Sequence, residues 1–215
     1  IVAGQQKPDE ALQTVLDQLS KGKKVVVITD TISNLQSNQT ISLHDHWLGN
    51  PALSQELEPE LIISFGKSVI SKSLKLFLRK TQASHWHVQE DGKAKDTFQR
   101  LSRAIPSSPV SFLSWLATEL KPQNQDFHSR WLALEHKTKS ALANAFEKTE
   151  FGEYPALAYC LTKTPPLSKI HVANSMAVRY LNLLGKREQE ISCNRGMSGI
   201  DGSNSTAVGC TFTTK

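Results

Sequence analysis

The sequence predicts an α/β fold in which a parallel sheet is flanked by helices, because strand-like and helix-like segments alternate along its 215 residues. Residues 24–29 and 61–65 are short, continuous apolar runs, which are typical of strands buried on both faces of a parallel sheet. The segments between the apolar runs show helical spacing of their apolar residues. We find no internal repeat in the chain, so a repeat architecture is not indicated.

The first 149 residues predict one unit of this kind. Helical spacing over residues 8–19 places Leu12, Leu16 and Leu19 on one face, and Gly22 ends that helix. The strand at residues 24–29 follows, and residues 30–51 are polar enough to predict a loop with short helices. The remaining predicted elements of this unit are the strand at residues 61–65, a helix over 71–80, a strand over 84–89, and helices over 110–120 and 127–147.

Residues 150–215 predict the first part of a second α/β unit. A helix over residues 150–161 is broken by Pro165 and Pro166, and a strand follows over residues 169–173. Asn174 or Ser175 is a good N-cap for the next helix. A second short strand, residues 190–193, leads into a glycine-rich loop and a helix-compatible run.

Charge and composition exclude several classes of protein. The net charge of +5 and the isoelectric point near 9.1 would suit a nucleic-acid partner, but the lysines are dispersed and no aromatic residues interleave a basic stripe. No apolar run approaches the roughly 20 residues needed to span a bilayer. Nothing at the start of the chain resembles a signal peptide. The three cysteines form no spaced pair, which favours a reducing compartment and predicts a cytoplasmic protein.

The glycine loop, Asn194-Arg195-Gly196-Met197-Ser198-Gly199-Ile200-Asp201-Gly202, is the strongest local signal. Its glycines recur every third residue between a strand and a helix, where the backbone can approach a ligand and the helix N-terminus favours an anion. The preceding strand-to-helix turn carries Ser175 and Arg179. Ligands of open parallel sheets bind beyond the carboxyl ends of the strands. We therefore expect Ser175, Arg179, Arg195 and the glycine loop to line one crevice.

The two motifs NSMAVRYL, residues 174–181, and NRGMSGIDGSNSTAVG, residues 194–209, resemble the paired signature of the 2-succinyl-5-enolpyruvyl-6-hydroxy-3-cyclohexene-1-carboxylate (SEPHCHC) synthases. These are thiamin-diphosphate enzymes of menaquinone and phylloquinone biosynthesis. The pattern NSxxVRxxD…NRGxSGIDGxxSTAxG is matched at nearly every fixed position, with Asn182 near the usual aspartate. Residues 28–35 and 61–78 resemble the central domain of the same enzymes more weakly.

The resemblance implies a Rossmann-like (transhydrogenase-like) central domain over residues 1–149 and the start of the diphosphate-binding domain over residues 150–215. The family decarboxylates 2-oxoglutarate on thiamin diphosphate and adds the product to isochorismate. The resemblance implies that Arg179 and Arg195 bind substrate carboxylates through bidentate hydrogen bonds. The alternative is that each arginine forms an ion pair at the protein surface. Ser175 would line the same pocket or cap a helix, and Lys72 would reach the active site or stay solvated.

The resemblance also implies that Gly196, Ser198, Gly199 and Ile200 contact the cofactor, the glycines through their backbone. For Asp201, capping the next helix is the stronger interpretation. Full-length members have three domains and well over twice this length, so we expect the chain to be a piece of such an enzyme. The catalytic carboxylate and the ligands of Mg²⁺ (or Mn²⁺) would lie outside it. We accordingly expect the piece to bind neither cofactor nor metal by itself, and the whole enzyme to be a homodimer or homotetramer.

Residues 166–215 would contribute only two strands to their sheet. We therefore expect this segment to expose apolar surface, and to be less stable than the first unit or held by another copy of the chain.

Other chemistries lack support in the sequence. The pairs His44, His46 and His85, His87 have no clear third ligand, so a zinc site is not predicted. No Gly-x-Gly-x-x-Gly fingerprint follows the first predicted strand, and no Gly-x-Ser-x-Gly elbow or catalytic triad is evident. Two alternatives stay open: another thiamin-diphosphate decarboxylase, and a non-catalytic α/β module that binds a carboxylate metabolite.

Overall fold

The fold is an α/β structure with a five-stranded parallel sheet and a second, two-stranded parallel sheet. The computed structural model describes residues 1–22, 25–121, 125–146 and 148–213. The first sheet has the strand order β2-β1-β3-β4-β5. Its strands are β1 (Val2–Ala3), β2 (Ile28–Thr29), β3 (Leu61–Phe65), β4 (Ser84–Val88) and β5 (Leu101–Ile105). The predicted fold class, a parallel sheet flanked by helices, is confirmed.

Three strands differ from the sequence prediction. Strand β1 was not predicted, although it lies between β2 and β3, because two residues are too few to show periodicity. The apolar run at residues 24–29 forms a strand only at Ile28–Thr29; of this run, Lys24 lies outside the described residues. Strand β5 was also missed, because it is an edge strand whose central residues are exposed and polar enough to resemble a loop.

Helices cover the sheets at positions close to those predicted. They are α1 (Glu10–Lys21), α2 (Pro51–Ser54), α3 (Lys72–Lys80), α4 (Pro109–Glu119), α5 (Gln125–Phe146), α6 (Glu153–Lys163), α7 (Met176–Leu183) and α8 (Ser203–Thr211). Asp9 and Ser71 accept N–H bonds at the starts of α1 and α3, at 2.9 Å each. The predicted end of the fifth helix at Glu147 falls on a residue outside those described.

Both faces of the first sheet are covered, as a parallel sheet requires. Val2 and Ile62 belong to one buried cluster, which α3 and α5 cover through Phe77 and Trp131. The neighbouring residues Ala3 and Ile63 belong to the opposite cluster, with Leu16 of α1 and Leu113 of α4. Because successive strand residues point to opposite faces, the continuous apolar runs in the sequence supply both cores at once.

The second sheet pairs β6 (Lys169–Val172) with β7 (Glu190–Cys193) in parallel. Its apolar cluster includes Val172, Val178 and Ile191 and extends into the first unit through Ile32 and Ile70. The two sheets therefore share a packed boundary. The predicted division between residues 149 and 150 stays a prediction.

Asn34 completes the hydrogen bonding of β7 with its side chain. Its Oδ1 accepts the Ile191 N–H at 2.8 Å, and its Nδ2 donates to the Ile191 carbonyl at 3.1 Å and to the Gln6 carbonyl at 2.8 Å. The side-chain amide thus occupies the place of a neighbouring strand's peptide. Asn34 itself has φ 54°, ψ 26°, a left-handed conformation that asparagine tolerates.

We expect Asn34→Gly to lower the free energy of unfolding by about 2 kcal/mol, because it leaves the Ile191 peptide without its partner. Glycine adopts the left-handed conformation without strain, and the entropy that glycine adds to the unfolded chain is measured by the control. Chemical denaturation measures it. The control is Asn38→Gly at an exposed turn position; equal losses in the two variants would contradict this role of Asn34.

The predicted histidine pair on β4 is part of a hydrogen-bonded cluster. The Ser64 hydroxyl lies 2.6 Å from His85 Nε2 and 2.8 Å from His87 Nδ1. Since Gln89 Nε2 donates to Asp91, its Oε1 faces His87 Nε2 at 3.2 Å and accepts that N–H. His87 Nδ1 therefore accepts from Ser64, which in turn accepts from His85. Burial, and secondarily His87, lower the pKa of His85 to about 4.

His85 should make the chain acid-sensitive. Between pH 6.5 and about 4 the unfolded chain binds a proton that folded His85 does not, so stability falls as pH falls. The free energy of unfolding of the unmodified chain should be lower at pH 4 than at pH 7. We expect this difference to be about 3 kcal/mol smaller in His85→Gln. Denaturation at both pH values tests this. His136→Gln, at an exposed position, should keep the wild-type dependence; an unchanged slope in His85→Gln would refute the assignment.

Candidate functional site

The candidate site lies where β6 and β7 end. Val172 pairs with Cys193 at the carboxyl end of each strand, so the segments that follow leave the sheet side by side. One segment is the turn at Asn174 and Ser175, and the other is the glycine loop at residues 194–202. Ligands of open parallel sheets bind beyond these carboxyl ends of the strands.

Asn174 organises the glycine loop, a role that the sequence prediction missed. It is only 4% exposed. Its Nδ2 donates to the carbonyls of Asn194 and Gly199, at 2.6 Å each, and its Oδ1 accepts from Arg195 Nη1 at 2.8 Å. One amide therefore fixes the start of the loop, a point within it at Gly199, and one guanidinium. The only signal in the sequence was an asparagine directly after a strand, which also suits a helix cap.

Ser175 stands at the N-cap position of α7, but its side chain does not cap the helix. The expectation that Ser175 or Asn174 would cap this helix is therefore wrong, since Asn174 is committed to the glycine loop. Ser175 is exposed and has φ 69°, ψ −132°, a strained conformation for a residue with a Cβ. Its hydroxyl and the first N–H groups of α7 are left available to a ligand.

The three glycines of the loop differ in backbone conformation. Only Gly202 among the three has a left-handed φ, 78°, while the non-glycine Ser198 has φ 58°. A Cβ at Gly196 or Gly199 would meet no described atom within 4 Å. Ile200 is 70% exposed and Met197 99%. The loop thus presents bare backbone and apolar side chains to the outside.

The two arginines lie in different surroundings. Arg195 is half-buried, and its Nε is buried without an acceptor among the described residues. Arg179, on the first turn of α7, is exposed and makes no hydrogen bond to the part of the chain that the structure describes. A guanidinium with unused donors is suited to a carboxylate.

The third segment at the site is residues 66–70, which join β3 to α3. Gln5 Nε2 donates to the Cys193 carbonyl at 2.8 Å, and Ser68 Oγ donates to the Arg195 carbonyl at 3.5 Å. The site consequently lies between the two sheets. Lys72, at the first position of α3, is exposed and has no hydrogen-bond partner among the described residues. One turn later, Lys75 is half-buried and was missed by the sequence prediction.

Comparison with known sequences decides the family. Residues 1–170 match the sequence profile described as the middle domain of thiamine pyrophosphate. The chain belongs to this family.

Curated relatives of this middle-domain chain carry one name, 2-succinyl-5-enolpyruvyl-6-hydroxy-3-cyclohexene-1-carboxylate synthase. The relative from Cytophaga hutchinsonii is 38% identical over 97% of this chain. Those from Flavobacterium johnsoniae and Enterococcus faecalis are 32% and 29% identical, again over 97% of it. The chain spans about 38% of the length of the first two relatives.

Two further properties hold for the described residues. No helix there is long and apolar enough to cross a bilayer. No group of three or more histidine, cysteine, aspartate or glutamate side chains in the same ranges could hold a metal ion.

We expect Asn174→Ala to loosen the glycine loop, because two carbonyls and Arg195 lose their partner. Limited trypsin digestion should cleave after Arg195 at least about tenfold faster, as expected for a cost above about 1.4 kcal/mol. Asn174→Asp should also increase cleavage, since a carboxylate repels the carbonyls of Asn194 and Gly199. Asn204→Ala, at an exposed position of α8, is the control. Wild-type cleavage in both Asn174 variants would show that the loop holds itself.

Proposed function

We propose that this chain is part of a SEPHCHC synthase, an enzyme that decarboxylates 2-oxoglutarate and adds the remaining unit to isochorismate in menaquinone biosynthesis. The observation that carries the proposal is Arg195, held by Asn174 at 2.8 Å at the shared edge of β6 and β7. Both substrates are dicarboxylates, and relatives that align over 97% of the chain carry this name.

Substrate binding falls to four residues in this proposal. Arg179 and Arg195 supply planar guanidinium forks, which bind carboxylates through paired, charge-assisted hydrogen bonds. Ser175 supplies a hydroxyl that no helix cap consumes. Lys72, exposed at the start of α3, would approach the substrate from the first sheet.

The residues of the glycine loop fit thiamin diphosphate. Gly196 and Gly199 leave room for close approach, Ile200 is exposed for contact with a ring, and the Ser203 hydroxyl is buried without a partner among the described residues. We propose that Gly196, Ser198, Gly199 and Ile200 contact the cofactor. When bound, the cofactor supplies the carbanion chemistry of the decarboxylation and transfer. Mg²⁺ or Mn²⁺ would be held by residues other than those described.

Assembly and location are further parts of the proposal. Exposed apolar side chains concentrate in the second unit, including Phe151, Leu167, Met197 and Phe212, which supports burial of this surface against other parts of the enzyme or in a homo-oligomer. All three cysteines lie in described segments and none forms a disulfide, which supports a cytoplasmic enzyme.

Replacement of each arginine by lysine in the full-length enzyme tests the proposal. We expect Arg179→Lys and Arg195→Lys each to lose half of a paired carboxylate contact, about 2 kcal/mol or roughly thirtyfold in kcat/KM, without loss of fold. Steady-state kinetics with 2-oxoglutarate and isochorismate varied in turn measure this effect. Arg130→Lys, at a surface ion pair with Glu56, is the matched control. Wild-type efficiency in both site variants, or no turnover by the unmodified enzyme, would refute the proposal.

A further inference from the structure

Lys75 lies at the boundary between the two sheets, on the inner side of α3. Its Nζ donates to the Val69 carbonyl at 3.1 Å, in the segment that joins β3 to α3. The residue before Val69 is Ser68, whose hydroxyl donates to the Arg195 carbonyl. The ammonium group of Lys75 is therefore close to the segment that contacts Arg195, whereas Lys72 extends into solvent.

Asp30 and three arginines act electrostatically on this ammonium group, and the effect of Asp30 is the largest of the four. Burial is the main cause that lowers the pKa of Lys75, and Arg195, Arg79 and Arg179 lower it further. The opposing effect comes from Asp30. Both proposed substrate-binding arginines thus act electrostatically on Lys75, in agreement with its hydrogen bond to the segment that contacts Arg195.

Asp30 is not a free counter-ion for Lys75. Its carboxylate accepts the N–H groups of Ile70 and Ser71, and its Oδ1 lies 3.5 Å from His44 Nε2. Among the described residues it forms no ion pair with Lys75. An ammonium group has three donors, and within the same ranges only Val69 accepts from Lys75. The cluster of Lys75, Arg179 and Arg195 therefore has unused donors and excess positive charge.

We propose that Lys75 is a third cationic contact for the substrate, and that with Arg179 and Arg195 it forms a subsite for one carboxylate of a dicarboxylate. The inference rests on the proposed function and adds a residue to that site. Binding of a dianion would both satisfy the free donors of Lys75 and relieve the repulsion among the three cations.

The test compares three variants of Lys75 in the full-length enzyme. Lys75→Met removes the charge and the donors, Lys75→Gln keeps a donor for the Val69 carbonyl without the charge, and Lys75→Arg keeps the charge. We expect Lys75→Met and Lys75→Gln to raise KM for at least one substrate, 2-oxoglutarate or isochorismate, by about tenfold or more, with kcat changed less than about threefold. Lys75→Arg should restore most of the affinity. Lys80→Met, exposed in the last turn of α3, is the control.

Unchanged KM values for both substrates in Lys75→Met would overturn the inference while leaving the proposed function intact. Full rescue by Lys75→Gln would also overturn it, since a neutral donor to Val69 would then suffice. If the unmodified enzyme does not turn over these substrates, the proposed function is refuted, and a second measurement is needed to test the carboxylate subsite. Calorimetric titration with succinate as a dicarboxylate probe should then show binding that Lys75→Met weakens at least about tenfold. Absence of succinate binding to the unmodified enzyme would refute the subsite.

Discussion

Two aspartates at the boundary between the sheets, the buried Asp30 and the half-buried Asp45, hold the start of α3, and the geometry of the candidate site depends on them. Asp30, 2% exposed, accepts the N–H groups of Ile70 and Ser71. Asp45 accepts the Ser71 hydroxyl and the Asn182 side-chain amide of α7. The helix that carries the lysines is thereby tied to the helix that carries Arg179. The positive end of α3 also stabilises both carboxylates, which offsets the cost of burying Asp30.

Side-chain amides make most of the other hydrogen bonds across this boundary. Asn182 accepts the Thr31 N–H at 2.9 Å while it donates to Asp45, so it uses both ends of its amide, which an aspartate could not do at neutral pH. Asn34 and Gln5 bond backbone groups of β7 in the same way. The half-buried Arg187 donates from its guanidinium to the Thr31 hydroxyl, and burial of that group lowers its pKa to about 10. Side-chain amides suit the boundary between the two sheets because the sheets do not pair with each other. Their backbone N–H and C=O groups at the boundary therefore need other hydrogen-bond partners, and an amide can both donate and accept.

The sequence predicted the elements whose pattern is local and missed those set by tertiary contacts. Strand β3 was found because an apolar run bounded by turn residues indicates a buried strand by itself, and β6 and β7 were found as short segments between turn residues. Strand β1 could not be found, since two residues show no pattern. Arg179 and Arg195 were singled out by their motifs, whereas Asn174 was interpreted as a cap and Lys75 was overlooked. The functions of those last two residues depend on which segment packs against them, and sequence spacing does not contain that information.

Energetically unfavourable features of the fold are concentrated at the candidate site. Ser175 and Ser198 both have positive φ, each in one of the two segments that leave β6 and β7. The Nε of Arg195 is buried without an acceptor in the described ranges. Strained backbone and unpaired charge persist where the surrounding structure enforces them, and the Asp30 and Asp45 ties do so here. A site held in this state has its donors oriented before an anion arrives, so little reorganisation opposes binding. In the proposed function, the hydrogen bonds of Asp30 and Asp45 would hold these unsatisfied donors at the carboxyl ends of β6 and β7 in place for a substrate carboxylate.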